Sequence, residues 1–292
     1  MQKIGFVTED ATDMPQELVE KYQIAQVAVK FTWPELESMP GENTFQKMRE
    51  LAKKGDKSFG KTSQPAAKDF LDKFEQQLAR FEKVICITVS SKLSGSYNSA
   101  NQAKGYLKPE DQKRLFIVDS FSVSGAQALL AIKAVDLTNE NKTAEEIAAE
   151  LEKFIPQIHS ILIFEDVKWV EAGGRISHFA ATLVRSMARA GIRPLMAIKN
   201  GILAPTGLKT GAKDIPTAIY KQLEHDTKDH IKEGKKIRVA IAHCDDPQGA
   251  QRLKEMIENN FKNVEIVFVN ILNNVVGVLA GPNAMVAAWC EA

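Results

Sequence analysis

The sequence predicts a two-domain α/β protein, in which a doubly wound, mostly parallel sheet is followed by a second, α+β domain. Apolar runs alternate with amphipathic helical stretches in the first part of the chain, and the runs are apolar at nearly every position, as in strands buried on both faces. The length of 292 residues is long for one domain and suits about two. We place the domains at residues 1–158 and 159–292, where the regular alternation ends.

In the first domain, four apolar runs predict strands: KIGFVT (3–8), IAQVAVKF (24–31), VICITV (84–89) and RLFIVDS (114–120). Apolar residues at helical spacing predict helices in DMPQELVEKY, TFQKMRELAKKG, AAKDFLDKFEQQLARF, SGAQALLAIKAVDL and TAEEIAAELEKFI, with a further helix after SSKLSGSY. Thr143 and Glu146 form a capping box at the start of the last of these helices.

The second domain follows a looser pattern. SILIFE, KIRVAIAHC and NVEIVFVNIL predict strands, and Asn200-Gly201 predicts a hairpin turn within IRPLMAIKNGILAP. Helices are predicted in HFAATLVRSMARAG, through 215–223 and from about residue 247.

The overall composition excludes several classes of function. Lys and Arg number 38 against 37 acids, so a net charge of +1 gives no electrostatic footprint for nucleic acid or an anionic membrane. No apolar stretch approaches the ~20 residues of a membrane span, and the start of the chain has no signal-peptide pattern. The three cysteines form no CxxC motif, so we expect a reducing, cytoplasmic location. No nucleotide-binding motif or zinc spacing is present, and we predict no cofactor and no metal.

Four hydroxyl-rich segments follow strands or precede helices: TEDATD, KTSQP (61–65), SSKLSGSYNSA (90–100) and DSFSVSG (119–125). Ligands of doubly wound sheets bind outside the carboxyl ends of the strands. Hydroxyls can donate to an oxygen there, Gly95 and Gly125 allow close backbone approach, and the following helices offer positive N-terminal ends. Such a nest suits a carboxylate or a phosphate. The competing interpretation is that each serine only caps its helix, but four segments at one sheet edge favour a site.

A catalytic interpretation is weaker. No G-x-S-x-G nucleophile elbow surrounds Ser94 or Ser96. An enzyme acting on a small phosphorylated or carboxylated metabolite remains the alternative, with Asp119 or Asp10 as its general base. In EAGGRIS, Arg175 is either a fixed guanidinium at a site or a bridge between domains after a helix stop.

Taken in order, these segments resemble the DegV family of bacterial fatty-acid-binding proteins. KTSQPAA is similar to the family's T-S-Q-P-S, SSKLSGSYNSA to its S-S-x-L-S-G-T-Y-x-S-A, VDSFSVSGAQ to its D-S-x-x-x-S-x-G, and VKWVEAGGRIS to its L-x-x-L-x-x-G-G-R-I-S. The resemblance covers essentially the whole chain.

The resemblance implies a non-enzymatic protein that buries one long-chain fatty acid in a tunnel between its two domains. Some members are the acyl-carrying partner of a fatty acid kinase. By this likeness the hydroxyls of Thr62 and Ser94 and the backbone N–H of Gly95 hold the carboxylate. The other residues that the resemblance assigns to the binding site are Ser63, Ser96, Ser122, Ser124 and Arg175.

The chain departs from the family pattern at both ends. TEDATDMP replaces T-D-S-T-A-D-L-P and introduces acids at Glu9 and Asp10, and VGVLAGPNAM replaces I-G-x-H-T-G-P-G. Leu279 therefore stands at the family's histidine, Ala280 at its threonine and Asn283 at its last glycine, while Lys209 stands near an expected arginine. Because leucine cannot replace the polar interaction of that histidine with the headgroup, the protein binds its acid more weakly, binds a different apolar ligand, or no longer serves a kinase. A degenerate member that acts only by binding other proteins is a further alternative.

Overall fold

The structure is a computed structural model that describes residues 2–189, 193–209 and 214–292. The chain folds into two compact units. Unit 1 comprises the chain up to Lys30, Ser63–Ile158 and the short segment Asn200–Ile202, and unit 2 comprises Phe31–Thr62 and the remainder from His159 onward.

Strands and helices alternate along most of the described chain. The strands are β1 (Gln2–Glu9), β2 (Ile24–Val27), β3 (Lys30–Thr32), β4 (Lys61–Ser63), β5 (Phe81–Thr88), β6 (Leu115–Asp119), β7 (His159–Ile163), β8 (Arg193–Lys199), β9 (Ile202–Lys209), β10 (Ile237–His243), β11 (Val264–Ile271) and β12 (Met285–Glu291). The α-helices are α1 (Gln16–Lys21), α2 (Pro34–Glu37), α3 (Thr44–Lys53), α4 (Ala67–Leu78), α5 (Ser96–Tyr106), α6 (Pro109–Gln112), α7 (Gly125–Asn139), α8 (Ala144–Phe154), α9 (Lys168–Ala172), α10 (His178–Arg189), α11 (Ile215–Lys232), α12 (Pro247–Asn260) and α13 (Asn274–Ala280).

Unit 1 contains a four-stranded sheet in the order β2-β1-β5-β6, and each neighbouring pair is parallel. Helices α4 and α5 pack together, as do α7 and α8, and all four pack against the sheet. The middle of β5 is inaccessible to solvent, with Ile85, Cys86 and Ile87 fully buried, which explains why its sequence is apolar without alternation. The predicted α/β class, with a parallel first sheet and a second sheet-containing domain, is confirmed.

Helix α8 begins where the sequence predicts. The Thr143 hydroxyl accepts a hydrogen bond from the Glu146 N–H at 3.3 Å, and the Glu146 carboxylate accepts one from the Thr143 N–H at 2.8 Å. This is the predicted capping box at the start of α8. In α4, Phe70 and Phe74 lie one turn apart and are completely buried, so the apolar stripe of the sequence is the face that meets the core.

Unit 2 contains a mixed six-stranded sheet in the order β11-β10-β12-β7-β8-β9. Only β10 and β11 run parallel among the pairs formed by β7, β8, β10, β11 and β12. Strand β12, which the sequence analysis did not identify, lies between β10 and β7, and all of its residues except the last are buried. The predicted hairpin joins β8 to β9, and Asn200 and Gly201 have φ of 50° and 83°, the left-handed pair that a type I′ turn requires.

The segment 31–62, which the sequence analysis assigns to the first domain, groups with unit 2. Helix α3 buries Phe45, Met48 and Leu51 in a core cluster made with residues of the later chain. The Phe45 ring occupies the place where a Cβ on Gly277 would lie, at 2.4 Å. The segment therefore joins unit 2 because its apolar face packs there, although in sequence it interrupts unit 1.

Within the described residues, no helix is both long enough and apolar enough to cross a bilayer.

Candidate functional site

The order of the unit 1 sheet places a crevice between β1 and β5. The chain proceeds from β1 to β2 on one side and from β5 to β6 on the other, so the direction of winding reverses between the two central strands. Ligands of open α/β sheets bind at such a switch point, outside the carboxyl ends of the strands. Glu9 is the last residue of β1, and Val89 follows the last residue of β5.

Three of the hydroxyl-rich turns are hydrogen-bonded to one another at this edge. The Ser90 N–H, after β5, donates to the Ser122 carbonyl, after β6, at 2.8 Å. The Ser124 N–H donates to the carbonyl of Ala11, after β1, at 2.9 Å. The three turns thus form one continuous rim around the strand ends of unit 1.

The turn after β5 contains the residues that the sequence analysis singled out first. The Ser94 and Ser96 hydroxyl oxygens lie 2.9 Å apart, and the Ser96 N–H donates to the Ser94 Oγ at 3.3 Å. Ser96, the first residue of α5, is fully buried, whereas Ser94, two residues before the helix, is half-buried. Ser90 has a structural role, since its hydroxyl donates to the Gly201 carbonyl at 2.8 Å.

Gly95 immediately precedes α5, and its missing side chain makes room for a neighbouring residue. A Cβ at this position would lie 1.9 Å from the Oε1 of Gln64, the glutamine of the KTSQP segment. In unit 1 this glycine therefore allows a close approach of Gln64, a reason for the glycine that the sequence analysis did not anticipate.

The turn after β6 holds Ser122 and Ser124. Ser122 is buried, and its N–H donates to the Ser120 hydroxyl at 3.0 Å. Ser124 precedes α7 with a φ of 60°, and its buried hydroxyl has no hydrogen-bond partner among the described residues. Ser124 therefore does not cap α7 with its side chain.

The remaining predicted site residues lie on other elements. Ser63 ends β4 in unit 1 and is exposed, while Thr62, its neighbour on β4, belongs to unit 2. The Thr62 hydroxyl is buried and has no hydrogen-bond partner in the part of the chain that the structure describes. Arg175, also in unit 2, donates to the Gly173 carbonyl, and burial lowers the pKa of its guanidinium.

Sequence reasoning noted Glu9 as a departure but assigned it no role. Its side chain is 0% exposed, and both of its carboxyl oxygens accept from the Val89 N–H at 3.2 Å. Oε2 also accepts from the Gln127 Nε2 at 3.1 Å. Burial raises the pKa of Glu9 from 4.5 to about 7, against the smaller lowering effect of these hydrogen bonds. The sequence did carry a signal for Glu9: an acidic residue at the end of an apolar strand, where the sheet has its switch point.

The two acids proposed as general bases bind backbone groups instead. Asp119 accepts from the Ser91 N–H at 3.1 Å and from the Phe121 N–H at 3.0 Å. Asp10 accepts from the Val29 N–H at 3.0 Å. These carboxylates hold turns in place, which removes the main support for the enzymatic alternative.

Comparison with known proteins identifies the family. The sequence model of a protein family, described as "Uncharacterised protein, DegV family", matches residues 3–292 of this chain. The chain belongs to the DegV family. A fatty acid-binding protein of Thermotoga maritima is 28% identical over 293 residues, which cover 97% of this chain and 96% of that protein.

Solved structures of DegV proteins have the same fold. A Thermotoga maritima protein described as revealing a fatty acid binding function has 26% identity and a TM-score of 0.76, with 100% of both chains covered. A DegV family protein of Thermus thermophilus, described by its fatty acid binding, has 23% identity and a TM-score of 0.84, again with 100% of both chains covered.

The departures from the DegV pattern near the C-terminus are part of the packing of unit 2. Leu279 fills the space beside Gly173 of the EAGGRIS segment, where an added Cβ would lie 2.4 Å from the leucine Cδ2. Asn283 has a φ of 62°, in the region that glycine adopts freely, and its Oδ1 accepts from Arg49 at 2.7 Å. Arg49 also pairs with Asp245. Asparagine tolerates this backbone conformation better than most residues, so it replaces the family glycine and gains a hydrogen bond.

Proposed function

We propose that this DegV protein binds a long-chain fatty acid and is not an enzyme. The observation that carries the proposal is the pair of hydroxyls, Ser94 and Ser96, at the start of α5 and at the switch point of a DegV sheet. Hydroxyl donors and the positive end of an eleven-residue helix suit a carboxylate. The relative of 28% identity that spans nearly the whole chain is named a fatty acid-binding protein.

For the headgroup, we propose the hydroxyls of Thr62 and Ser94 and the N–H of Gly95. Two properties support this choice: the Thr62 hydroxyl is buried without a partner among the described residues, and Ser94 is accessible where Ser96 is not. A buried hydroxyl without a partner costs free energy unless something else supplies one. Ser63, Ser122, Ser124 and Arg175 form the proposed surroundings of the headgroup.

The acyl chain supplies most of the affinity in this proposal. Each methylene removed from water contributes ~0.8 kcal/mol, so about ten buried methylenes contribute ~8 kcal/mol, which corresponds to micromolar binding. Leu279 in place of the family histidine removes one polar interaction with the headgroup. Binding that is dominated by the chain tolerates this loss.

We further propose that the bound carboxyl group is presented to a fatty acid kinase, as the family resemblance implies. The cytoplasmic location expected from the sequence stays a prediction. The protein could bind a fatty acid and yet yield no acyl phosphate with any fatty acid kinase tested. That result would contradict the kinase proposal and leave the binding proposal intact.

Lipid extraction tests the binding proposal directly. Denaturing the purified protein should release a fatty acid of about 14 to 20 carbons, which mass spectrometry then identifies. Shorter chains bury too little surface for tight binding. The absence of any released lipid, together with no thermal shift on adding such acids, would overturn the proposal.

The headgroup assignment has its own test. We expect the double variant Thr62→Val, Ser94→Ala to bind myristate about 10- to 100-fold more weakly, because two hydrogen bonds to a charged group are lost. Ser91→Ala is the matched control, since this serine lies in the same turn with its side chain exposed. Full affinity in the double variant would show that the assignment is wrong.

A further inference from the structure

The first turn of α7 in unit 1 is buried and has no side-chain cap. Gly125, Ala126 and Gln127 are all buried, and the N–H groups of the first residues of a helix have no acceptor within the helix. Ser124 precedes the helix, but its side chain accepts from none of them. A buried helix end needs hydrogen-bond partners from elsewhere.

The sequence at this point has the pattern of a capping box, which the structure does not form. Ser124 and Gln127 stand at the first and last positions of S-x-x-Q. The Ser124 N–H donates to the Ala11 carbonyl at 2.9 Å instead. The Gln127 Nε2 donates to the Glu9 carboxyl group at 3.1 Å and to the Ile87 carbonyl at 3.0 Å. Gln127 therefore joins the ends of β1 and β5 rather than capping its own helix.

Four buried oxygens near this turn have no hydrogen-bond partner among the described residues. They are Thr8 Oγ1, Thr12 Oγ1, Ser124 Oγ and Gln127 Oε1, on residues that are at most 1% exposed. Leaving a buried polar atom unpaired costs free energy, and native proteins rarely leave several such atoms together. These oxygens therefore indicate a bound group that the side chains themselves do not supply.

Thr8 lies on the face of the sheet that α7 covers. It pairs in register with Ile87 of β5, so the two side chains share one face. Val7 points to the opposite face, where it packs with α4 and α5. Since α7 packs against β1 and β5 and its Gln127 reaches the Ile87 carbonyl, the Thr8 hydroxyl lies beneath the start of α7.

Thr12 approaches the same turn from the segment that follows β1. Its neighbour Ala11 accepts the hydrogen bond from the Ser124 N–H, so Thr12 lies against the residue that begins α7. The four unpaired oxygens thus come from β1, from the segment after β1 and from the first turn of one helix.

The chemistry of these groups selects the occupant. Gln127 Oε1 can only accept a hydrogen bond, because the Nε2 of the same amide is used by two acceptors. The N–H groups of the helix can only donate. The occupant must therefore both donate and accept. A simple anion such as chloride cannot donate, and a cation cannot accept and is repelled by the positive end of the helix. A water molecule does both and commonly makes about three hydrogen bonds in such sites.

We propose that unit 1 binds a cluster of ordered water molecules at the first turn of α7, held by Thr8, Thr12, Ser124 and Gln127, and that this water caps the helix. Because water takes the place of the side-chain cap, the Gln127 amide is available to bridge β1 and β5 at the switch point. The inference does not depend on the ligand of the protein, since it rests on hydrogen bonds within unit 1.

A crystal structure at a resolution of about 1.5 Å tests the proposal directly. We expect an ordered water that accepts from an N–H group of the first turn and donates to Gln127 Oε1, at distances of about 2.7–3.2 Å. A Gln127 N–H that donates straight to Ser124 Oγ, or no ordered water at the turn, would overturn the proposal. A bromide soak distinguishes an anion site, and an anomalous peak at this position would overturn it as well.

Hydrogen exchange in solution gives a second test, because the two possibilities predict opposite signs. Removing a hydroxyl that holds water leaves that water with fewer partners, whereas removing a hydroxyl without a partner relieves the cost of burying it. We expect Thr12→Val and Ser124→Ala each to speed exchange of the β1 and β5 amides about tenfold, because a larger fraction of molecules is open. Unchanged or slower exchange in either variant would contradict the proposal.

The double variant Thr12→Val, Ser124→Ala tests whether the two hydroxyls hold the same water cluster. The first substitution already disrupts a shared cluster, so the combined effect should be clearly smaller than the product of the two single effects. Thr138→Val combined with Ser124→Ala is the matched control. The Thr138 hydroxyl donates to the Ala134 carbonyl at 3.0 Å, far along α7, so these two effects should multiply. Equal behaviour of the two pairs would refute a shared cluster, and far-UV circular dichroism checks that each variant is folded.

Discussion

The buried carboxyl group of Glu9 should make the stability of unit 1 depend on pH. Its pKa is raised from 4.5 to about 7 by burial, so the folded state holds the proton more tightly than the unfolded state does. The stabilisation is complete below the unfolded-state value of 4.5, declines as the pH rises and is lost above about 7. The difference of about 2.5 pH units, at 1.36 kcal/mol each, gives about 3 kcal/mol.

Glu9→Gln removes this dependence because an amide does not ionise. We expect the free energy of unfolding of the variant, relative to the wild type, to rise by about 3 kcal/mol between about pH 4 and pH 8. The amide oxygen can still accept from Val89 and Gln127, so the hydrogen bonds that these two residues donate can be kept. The pKa values of two histidines, the exposed His159 and the buried His243, are lowered by the loss of surrounding water, but both residues lie in unit 2 and are shared by both proteins, so their titration cancels in the difference.

The probe has to report on unit 1. All three tryptophans, Trp33, Trp169 and Trp289, lie in unit 2, so tryptophan fluorescence would follow the wrong part of the molecule. Hydrogen exchange of the amides in β1 and β5, measured by mass spectrometry across the pH range, follows the strands that surround Glu9. Parallel pH profiles for the two proteins would refute the reasoning, because they would mean that Glu9 does not change its protonation on unfolding.

Three other substitutions test the packing described above by urea denaturation. Gly173→Ala should cost about 1–3 kcal/mol through overlap with Leu279, and adding Leu279→Ala should recover part of that loss; purely additive effects would show that the two do not touch. Asn283→Ala should be more destabilising than Asn283→Gly by about 1 kcal/mol, because both lose the side-chain hydrogen bond but only alanine is strained at positive φ; equal losses would argue against strain. Gly95→Ala should change stability by less than about 1 kcal/mol, because the end of the exposed Gln64 side chain can move aside, and a larger loss would show that Gln64 is held in place.

Much of the fold could be predicted because local patterns carried it. The uninterrupted apolar run of β5 indicated a strand buried on both faces, and Thr143 with Glu146 marked the start of α8. The Asn200-Gly201 pair indicated a turn that needs two residues at positive φ. In these cases the residue types themselves limit the backbone to one conformation, so no distant partner is needed to interpret them.

Other features depended on residues that are distant in sequence. Strand β12 has two alanines at its centre, which have a low β-propensity. It is a central strand because β10 and β7 pair with it on either side. The segment 31–62 joins unit 2 because Phe45 and Met48 find their apolar partners there. Neither partner set lies close in sequence.

The site shows the same division. The sequence by itself determined that hydroxyls, glycines and helix starts follow the strands, because that pattern is local chemistry, and its order along the chain indicated the family. Only the tertiary structure showed that Glu9 is fully buried and that Val89 and Gln127 donate hydrogen bonds to its carboxyl group. The protonation of a carboxyl group depends on how much water surrounds it and on which donors face it. Both are set by parallel strands and turns that are far apart in the sequence, so the role of this acid could be inferred only after the chain was folded.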